Sequence, residues 1–300
     1  MDETSDKFYV DFSDRALLRL DGADGLDLLQ RISTNDLSGL KVGEHVRTVL
    51  TTEKGRVVDI LLVLRRSTNS LILAGQSRAV GDLANWIRRF IVMEDARLTL
   101  LNDDLIHILM VNLNDNELIN HLTNHNFIAI QTKYSEVNAV HCIANLQARS
   151  HLESFQDEHG FLQADDRYYE AFRIQKGTPE YPNEVSQQFN PLELGLRSIV
   201  SFTKGCYVGQ EVIARLDTYD KTLRTLRRLR LSMLPYRVPS ELLAPTGEKA
   251  GILTSCVTSA NPNEHILGIG IVFPIYDGIK LTYSHAGEDL SGVAEVIAGQ

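Results

Sequence analysis

Residues 198–215 read SIVSFTKGCYVGQEVIAR, and most of what can be inferred about this chain radiates from that stretch. The apolar run Ile199 to Phe202 reads as a strand that delivers the backbone into Lys204-Gly205-Cys206. A helical pattern starts at about Gly209 and turns Val212, Ile213 and Leu216 inward. Cys206 thus sits just ahead of a helix N-terminus, where unpaired amides carry partial positive charge and favour a thiolate. Lys204, two residues back, falls on the same side of an extended chain and adds its ammonium. Cys206 is a candidate reactive thiol with Lys204 as its partner. The alternative is a small packed cysteine, with the two glycines there only to permit a tight turn.

Upstream, Ala23 to Arg31 is helical and stops at Ser33-Thr34-Asn35-Asp36. Val46 to Thr51, Val57 to Leu64 and Leu71 to Ala74 read as strands, the first two forming a hairpin through Glu53-Lys54-Gly55-Arg56. Gln76 to Val92 has the stripe of an amphipathic helix. Leu105 to Val111, Glu117 to Thr123 and Phe127 to Gln131 continue a two-layer α+β pattern over about 46–133. Val140 to Ala144 is a further strand, and Arg167 to Gln175 is a helix with Phe172 facing a core. Gly177 to Asn190, with Pro179 and Pro182, is a long loop of the kind that tends to be functional. Beyond Tyr219, short strands at 223–233, 250–258, 265–272, 279–283 and 293–297 suggest a small antiparallel barrel or sandwich.

The chain has 300 residues, with 30 Lys and Arg against 39 Asp and Glu, a net charge of −9, and 43% hydrophobic content. That composition is globular rather than disordered, and its acidity argues against a surface that tracks nucleic acid throughout. Cys142, Cys206 and Cys256 lie far apart with no Cys-x-x-Cys pair, so a reducing compartment and no metal site are expected. The start MDETSDKFYV is not a secretory signal, and the most apolar segment, Val57 to Leu64, is short and contains Asp59. A cytoplasmic location without a membrane partner is expected.

Lys204 to Glu211, KGCYVGQE, resembles the signature of the YgfZ-type folate-binding proteins that support assembly or repair of iron-sulfur enzymes. Those are relatives of the aminomethyltransferase, the T-protein of the glycine cleavage system. The resemblance extends to Asn190-Pro191-Leu192-Glu193, to Arg215, to Arg173–Pro179, to Leu20–Gly43 and to the hairpin Gly55–Leu64. It implies an α+β, three-domain aminomethyltransferase-like fold around a central folate-sized hole, with a C-terminal antiparallel β-barrel. The implied division is a discontinuous first domain (1–45 and 134–222), an insert (46–133) and a barrel (223–300). It further implies tetrahydrofolate or a derivative as cofactor and iron-sulfur client or assembly proteins as partners. Cys206 and Lys204 become the functional pair, with folate contacts expected from Asp59, Tyr169, Arg173, Gln175, Asn190, Tyr207, Glu211 and Arg215.

Two departures bear on activity. Aminomethyltransferases resemble this hairpin but carry two adjacent carboxylates; here the pair is Asp59-Ile60, so the charge beside the reacting nitrogen is missing. Gln175 stands where a pterin-binding Glu is common, exchanging a charge-assisted hydrogen bond for a neutral one. Tyr169 either stacks on a pterin or fills core. Arg215 either reaches the hole or pairs with Glu211 at i,i+4 spacing. Lys221 to Arg230, KTLRTLRRLR, is read as a solvated basic face of an edge strand, or else as a track for a folate tail or RNA phosphates. Three functions follow: a folate-binding accessory of iron-sulfur maturation, a folate-dependent one-carbon transferase, and a tRNA-modification accessory. Ile60 makes a non-classical or non-catalytic role fit better than enzyme activity.

Overall fold

An interior strand of the N-terminal sheet, Val57–Ser67, is apolar on both faces, and that decides how the first half of the chain layers. The computed structural model describes residues 7–125, 127–134, 137–218, 224–258, 266–285 and 290–297. They fall into two units, one made of 7–52, 58–165 and 199–208, the other of 53–57, 166–198 and the described residues from 209 onward.

The first unit contains, in chain order, β1 (Phe8–Asp11), β2 (Leu17–Asp21), α1 (Gly25–Ile32), β3 (His45–Thr51), β4 (Val57–Ser67), β5 (Ser70–Ala74), α2 (Val80–Arg88), β6 (Arg97–Leu100), β7 (Leu105–Val111), α3 (Asn116–Asn124), β8 (Ile128–Tyr134), β9 (Val137–Asn145), α4 (Arg149–Glu158) and β10 (Leu162–Gln163). One sheet has the order β3-β4-β5-β2-β6 and the other β10-β1-β7-β9-β8. Side chains alternate along a strand, so Leu61 and Val63 of β4 pack with Leu28, Leu29, Leu83 and Ile87 of the two helices. Leu62 and Leu64 face the other way, onto Ile130 and Ile143 of the second sheet. Burial on both faces is why β4 reads as one apolar run. The second sheet covers its far side with α3 and α4, through Ile119, Leu122, Leu152 and Phe155.

Strand pairing crosses the boundaries drawn from the sequence at 45/46 and 133/134. β5 pairs with β2, and β8 with β9, so segment 46–133 shares its strands between two sheets. The helix expected over 76–92 is shorter, at Val80–Arg88, because the amides of Gln76 and Ser77 bond the Asp59 carboxylate and Ala79 N–H bonds Ser77 Oγ. The strand expected at Ile199–Phe202 is instead a 3₁₀ turn at Arg197–Ile199 followed by irregular backbone. Its hydrogen bonds go to the loop after α1: Ser201 N–H donates to Thr34 O, and Thr34 Oγ1 donates to Ile199 O.

The second unit holds α5 (Asp166–Gln175), α6 (Gln210–Thr218), β11 (Thr225–Leu231), β12 (Ser240–Leu243), β13 (Lys249–Val257), β14 (Ile266–Val272), β15 (Leu281–His285) and β16 (Leu290–Val296). The six strands close a barrel in the order β11-β14-β13-β12-β15-β16, which removes sheet edges altogether. β11 is therefore paired on both sides, to β14 and β16, and is not the edge strand expected of the basic run; Lys221 to Leu223 lie outside the described residues. In α6 only Ile213 is fully buried, and Val212, expected inward, is exposed. The architecture is mixed α+β with a closed six-stranded antiparallel barrel at its C-terminal end.

Candidate functional site

In the first unit, the segment carrying Lys204, Cys206 and Tyr207 is held by the polar stop after α1. Lys204 is buried, and its Nζ donates to the main-chain oxygens of Gln30 (2.6 Å), Ser33 (2.8 Å) and Asn35 (2.6 Å), with a longer bond to Gln30 Oε1. These are carbonyls a helix C-terminus leaves unpaired, and an ammonium suits their partial negative charge. Burial lowers Lys204 to about 8, opposed by Asp36, so it stays charged at neutral pH. Its Nζ also lies 5.2 Å from the centre of the Tyr207 ring, a cation–π distance. Tyr207 itself is buried, and burial pushes its phenol up to about 12. Val208 N–H donates to Arg31 O, and Thr51 Oγ1 donates to Val208 O. Between these two anchors Cys206 is exposed, with no hydrogen bond to its sulfur among the described residues. The sequence placed the Lys204 ammonium beside the thiol; the structure commits that ammonium to the α1 turn and leaves the thiol at the surface.

Asp59 and Ile60 occupy opposite faces of β4. Asp59 is fully buried, and its oxygens accept from the amides of Ile60 (2.7 Å), Gln76 (3.0 Å) and Ser77 (3.1 Å). A Cβ on Gly75 would come within 2.6 Å of Asp59 Oδ2, so any side chain there has to displace the bonded carboxylate. Asp59 positions the turn after β5 from behind rather than presenting a charge. Ile60 lines a cavity of about 40 Å3 between the two sheets, together with Arg15, Arg47, Gln76, His107 and His141. His107 Nε2 and His141 Nδ1 lie 2.8 Å apart. Burial lowers His107 to about 3, and burial, then the charges of His107 and Arg47, hold His141 well below its ordinary range. Sequence reasoning missed this pair, although a histidine in the middle of each of two apolar strands, LIHILMV and VNAVHCIAN, was the signal available.

In the second unit, the residues expected to touch folate are mostly engaged with one another. Arg173 is fully buried and donates to Glu184 Oε2 (3.0 Å), Thr178 O (3.2 Å), Ser255 Oγ (2.7 Å) and Glu170. Burial works against its charge, but Glu184 and Glu170 outweigh that and raise its pKa. Tyr169 is buried in core with its hydroxyl donating to Glu180 at 2.9 Å. Asn190 closes on itself, its side chain bonding Glu193 and the amides of Leu192 and Glu193. Gln175 is half-buried, and its main-chain oxygen accepts from Arg228. Glu211 and Arg215 are exposed and pair with each other at 2.7 Å. The polar atoms of Asp59, Tyr169, Arg173 and Asn190 are buried and bonded within the chain. Gln175, Glu211 and Arg215 keep side-chain surface. Among the described residues no group of three or more His, Cys, Asp or Glu could hold a metal ion, and no helix is long and apolar enough to cross a membrane.

Residues 7–168, more than half of the chain, match the model of the GCVT N-terminal domain. The chain belongs to the GCVT N-terminal domain family. This GCVT-family chain is 40% identical over 129 residues to a chloroplastic protein of Arabidopsis thaliana, provisionally named a transferase, covering 43% of this chain and 29% of that one. It is 22% identical over 228 residues to an aminomethyltransferase of Thermoanaerobacter pseudethanolicus, covering 68% of this chain and 62% of the enzyme. An uncharacterised protein of Haemophilus influenzae is 23% identical over 256 residues, covering 83% and 84% of the two chains. The chain thus spans well under two thirds of the plant protein's length and slightly under two thirds of the enzyme's. The crystal structure of the glycine cleavage system aminomethyltransferase T from Bartonella henselae superposes with a TM-score of 0.83 over 99% of this chain and 86% of that one, at 15% identity. The GCVT-family chain has the aminomethyltransferase fold.

Proposed function

We propose that this GCVT-family protein is a folate-binding accessory of iron-sulfur enzyme assembly or repair that works through Cys206, in a reducing compartment such as the cytoplasm. The observation that carries this reading is the exposed thiol on a turn clamped at both ends, by Lys204 on one side and Val208 on the other. A surface thiol on a rigid support can reach a partner's iron or sulfur, and one thiol supplies one of the four ligands a cluster needs. The client would supply the others. Lys204 acts here as a positioning residue, holding the turn. Tetrahydrofolate, when bound, would supply a one-carbon carrier; on this chain Gln175, Glu211 and Arg215 are the named residues with surface left to contact it. The three-domain division inferred from the sequence belongs to the same proposal.

A folate-dependent one-carbon transferase is the second reading, and the fold favours it. Ile60 weighs against it: the position that needs a charge is apolar and only 4% exposed. A tRNA role has less support, because Arg224 bonds Glu193, Arg227 bonds Asp277 and Arg228 bonds Gln175 O, which leaves few of the basic side chains free for phosphate. The test is complementation of a strain lacking the protein, read as activity of its iron-sulfur enzymes. Cys206→Ser is expected to lose rescue while the protein still accumulates at the wild-type level. Full rescue by Cys206→Ser would remove the thiol role. Turnover of methyl or methylene donors with tetrahydrofolate by the purified chain would move the reading to the transferase.

A further inference from the structure

The end of α3 reads His121-Leu122-Thr123-Asn124-His125, and its two histidines stand four residues apart on one helix face. His125 N–H still donates to His121 O (3.2 Å), so the helical register carries through to the second ring. Both residues are exposed, with ring centres 4.2 Å and planes 31° apart. Each ring is held in place. His125 Nδ1 lies 2.8 Å from His121 O. A carbonyl only accepts, so the neutral His125 ring carries its proton on Nδ1 and keeps a bare lone pair on Nε2. Histidines that ligate metals nearly always donate their other N–H in this way, which fixes the tautomer and raises the basicity of the free nitrogen. His121 is placed from the other side: its ring stacks on the buried Phe155 of α4, with centres 5.8 Å and planes 21° apart. Two metal–nitrogen bonds of about 2.0–2.1 Å span at most about 4 Å, a separation that nitrogens on rings with centres 4.2 Å apart can meet. The unpaired carbonyls at this end of α3 add partial negative charge, which favours a cation there.

We propose that His121 and His125 chelate a divalent transition-metal ion of the imidazole-binding class, Zn2+, Ni2+ or Cu2+, through Nε2 of His125 and a ring nitrogen of His121. Imidazole suits these ions, whereas Mg2+ and Ca2+ take oxygen ligands. Among the described residues no third His, Cys, Asp or Glu completes a set, so water fills the remaining positions. Structural zinc sites are closed by four protein ligands; two ligands hold the ion exchangeably, as a surface chelate that folding does not require. This inference does not depend on folate binding or on Cys206.

The test uses the full chain, labelled with 15N at histidine and titrated with ZnCl2, and separately with MgCl2, in a mildly alkaline, non-chelating buffer that keeps the rings neutral. Zn2+ is expected to move the His121 and His125 ring signals together and saturably, while the signal of the exposed His45 on β3 stays in place. MgCl2 is expected to move none of them. His125→Gln, read at the His121 ring, and His121→Gln, read at the His125 ring, are each expected to weaken Zn2+ binding at least tenfold. Both are surface changes, so the melting temperature of the metal-free protein is expected to stay at the wild-type value. Unmoved His121 and His125 signals overturn the proposal, Zn2+ capture at Cys206 included, because the rings report only their own site. Equal affinity in either variant overturns it too, since a single imidazole would then suffice. So does an equal response to MgCl2, which would reduce the effect to screening at a helix end.

Discussion

Lys204 shows how one residue can be picked out correctly by sequence and still be given the wrong partner. Its spacing from Cys206 suggested an ion pair, yet three carbonyls after α1 take the ammonium. Each buried acceptor that loses its donor costs about 1–3 kcal/mol, so Lys204→Met is expected to lower unfolding free energy by about 3 kcal/mol, measured by urea titration. Loss of under about 0.5 kcal/mol would mean water replaces the ammonium. Glu184 poses the same question in the second unit. It bonds Arg173 and Ser255, and both it and Arg173 are 0% exposed. Breaking a buried pair by removing one charge costs about 3–5 kcal/mol when the other is left uncompensated, and Glu170 still compensates Arg173 in part. Glu184→Gln is therefore expected to destabilise by about 3 kcal/mol, and replacing both partners with apolar residues by less.

At the scale of elements, β7 and β9 bring His107 and His141 together, and their neutrality ties stability to pH. Burial holds His107 at about 3 in the folded chain, against about 6.5 in the unfolded chain. The unfolded state thus binds more protons between those values, so stability is full above pH 6.5 and is lost as pH falls toward 3. His141 moves in the same direction. The groups facing the pair are Arg15, Arg47, His45 and Asp11, and only Asp11 opposes the shift. Each proton taken up on unfolding contributes a slope of about 1.4 kcal/mol per pH unit. Melting temperature is expected to drop steeply between pH 6.5 and 4.5, and His107→Gln to flatten that drop; an equal slope in the variant would place the proton uptake elsewhere. The core strands and helices were legible because their apolar periods run uninterrupted, as in β4 and α1. β1, β2, β6 and β12 were not, since each has only four or five residues and too little pattern to stand out. α2 began late because a carboxylate seventeen residues away claimed the amides of its expected first turn.

The whole molecule is built from non-contiguous chain. Segment 199–208 belongs to the unit of residues 7–165, and segment 53–57 to the other. A fragment ending at residue 165 would contain both N-terminal sheets but lack Lys204, Ser201 and Val208, which bond the turn after α1. It is expected to unfold at lower urea concentration than the full chain and to expose Ser33–Asp36 to proteolysis; equal stability would make 199–208 dispensable. By itself the amino-acid order determined the element types in the long periodic segments and an all-β C-terminal part, barrel or sandwich, because those depend on local period; the resemblance carried by KGCYVGQE implied the barrel, the aminomethyltransferase-like class and the charge missing at Ile60, because it depends on side-chain identity. Only the tertiary structure decided that Lys204 serves a helix end, that Asp59, Tyr169, Arg173 and Asn190 are bonded inward, and that His107 and His141 meet across two strands. Those outcomes depend on which groups from distant parts of the chain reach a donor or acceptor first when water is excluded, and no sequence spacing records that competition.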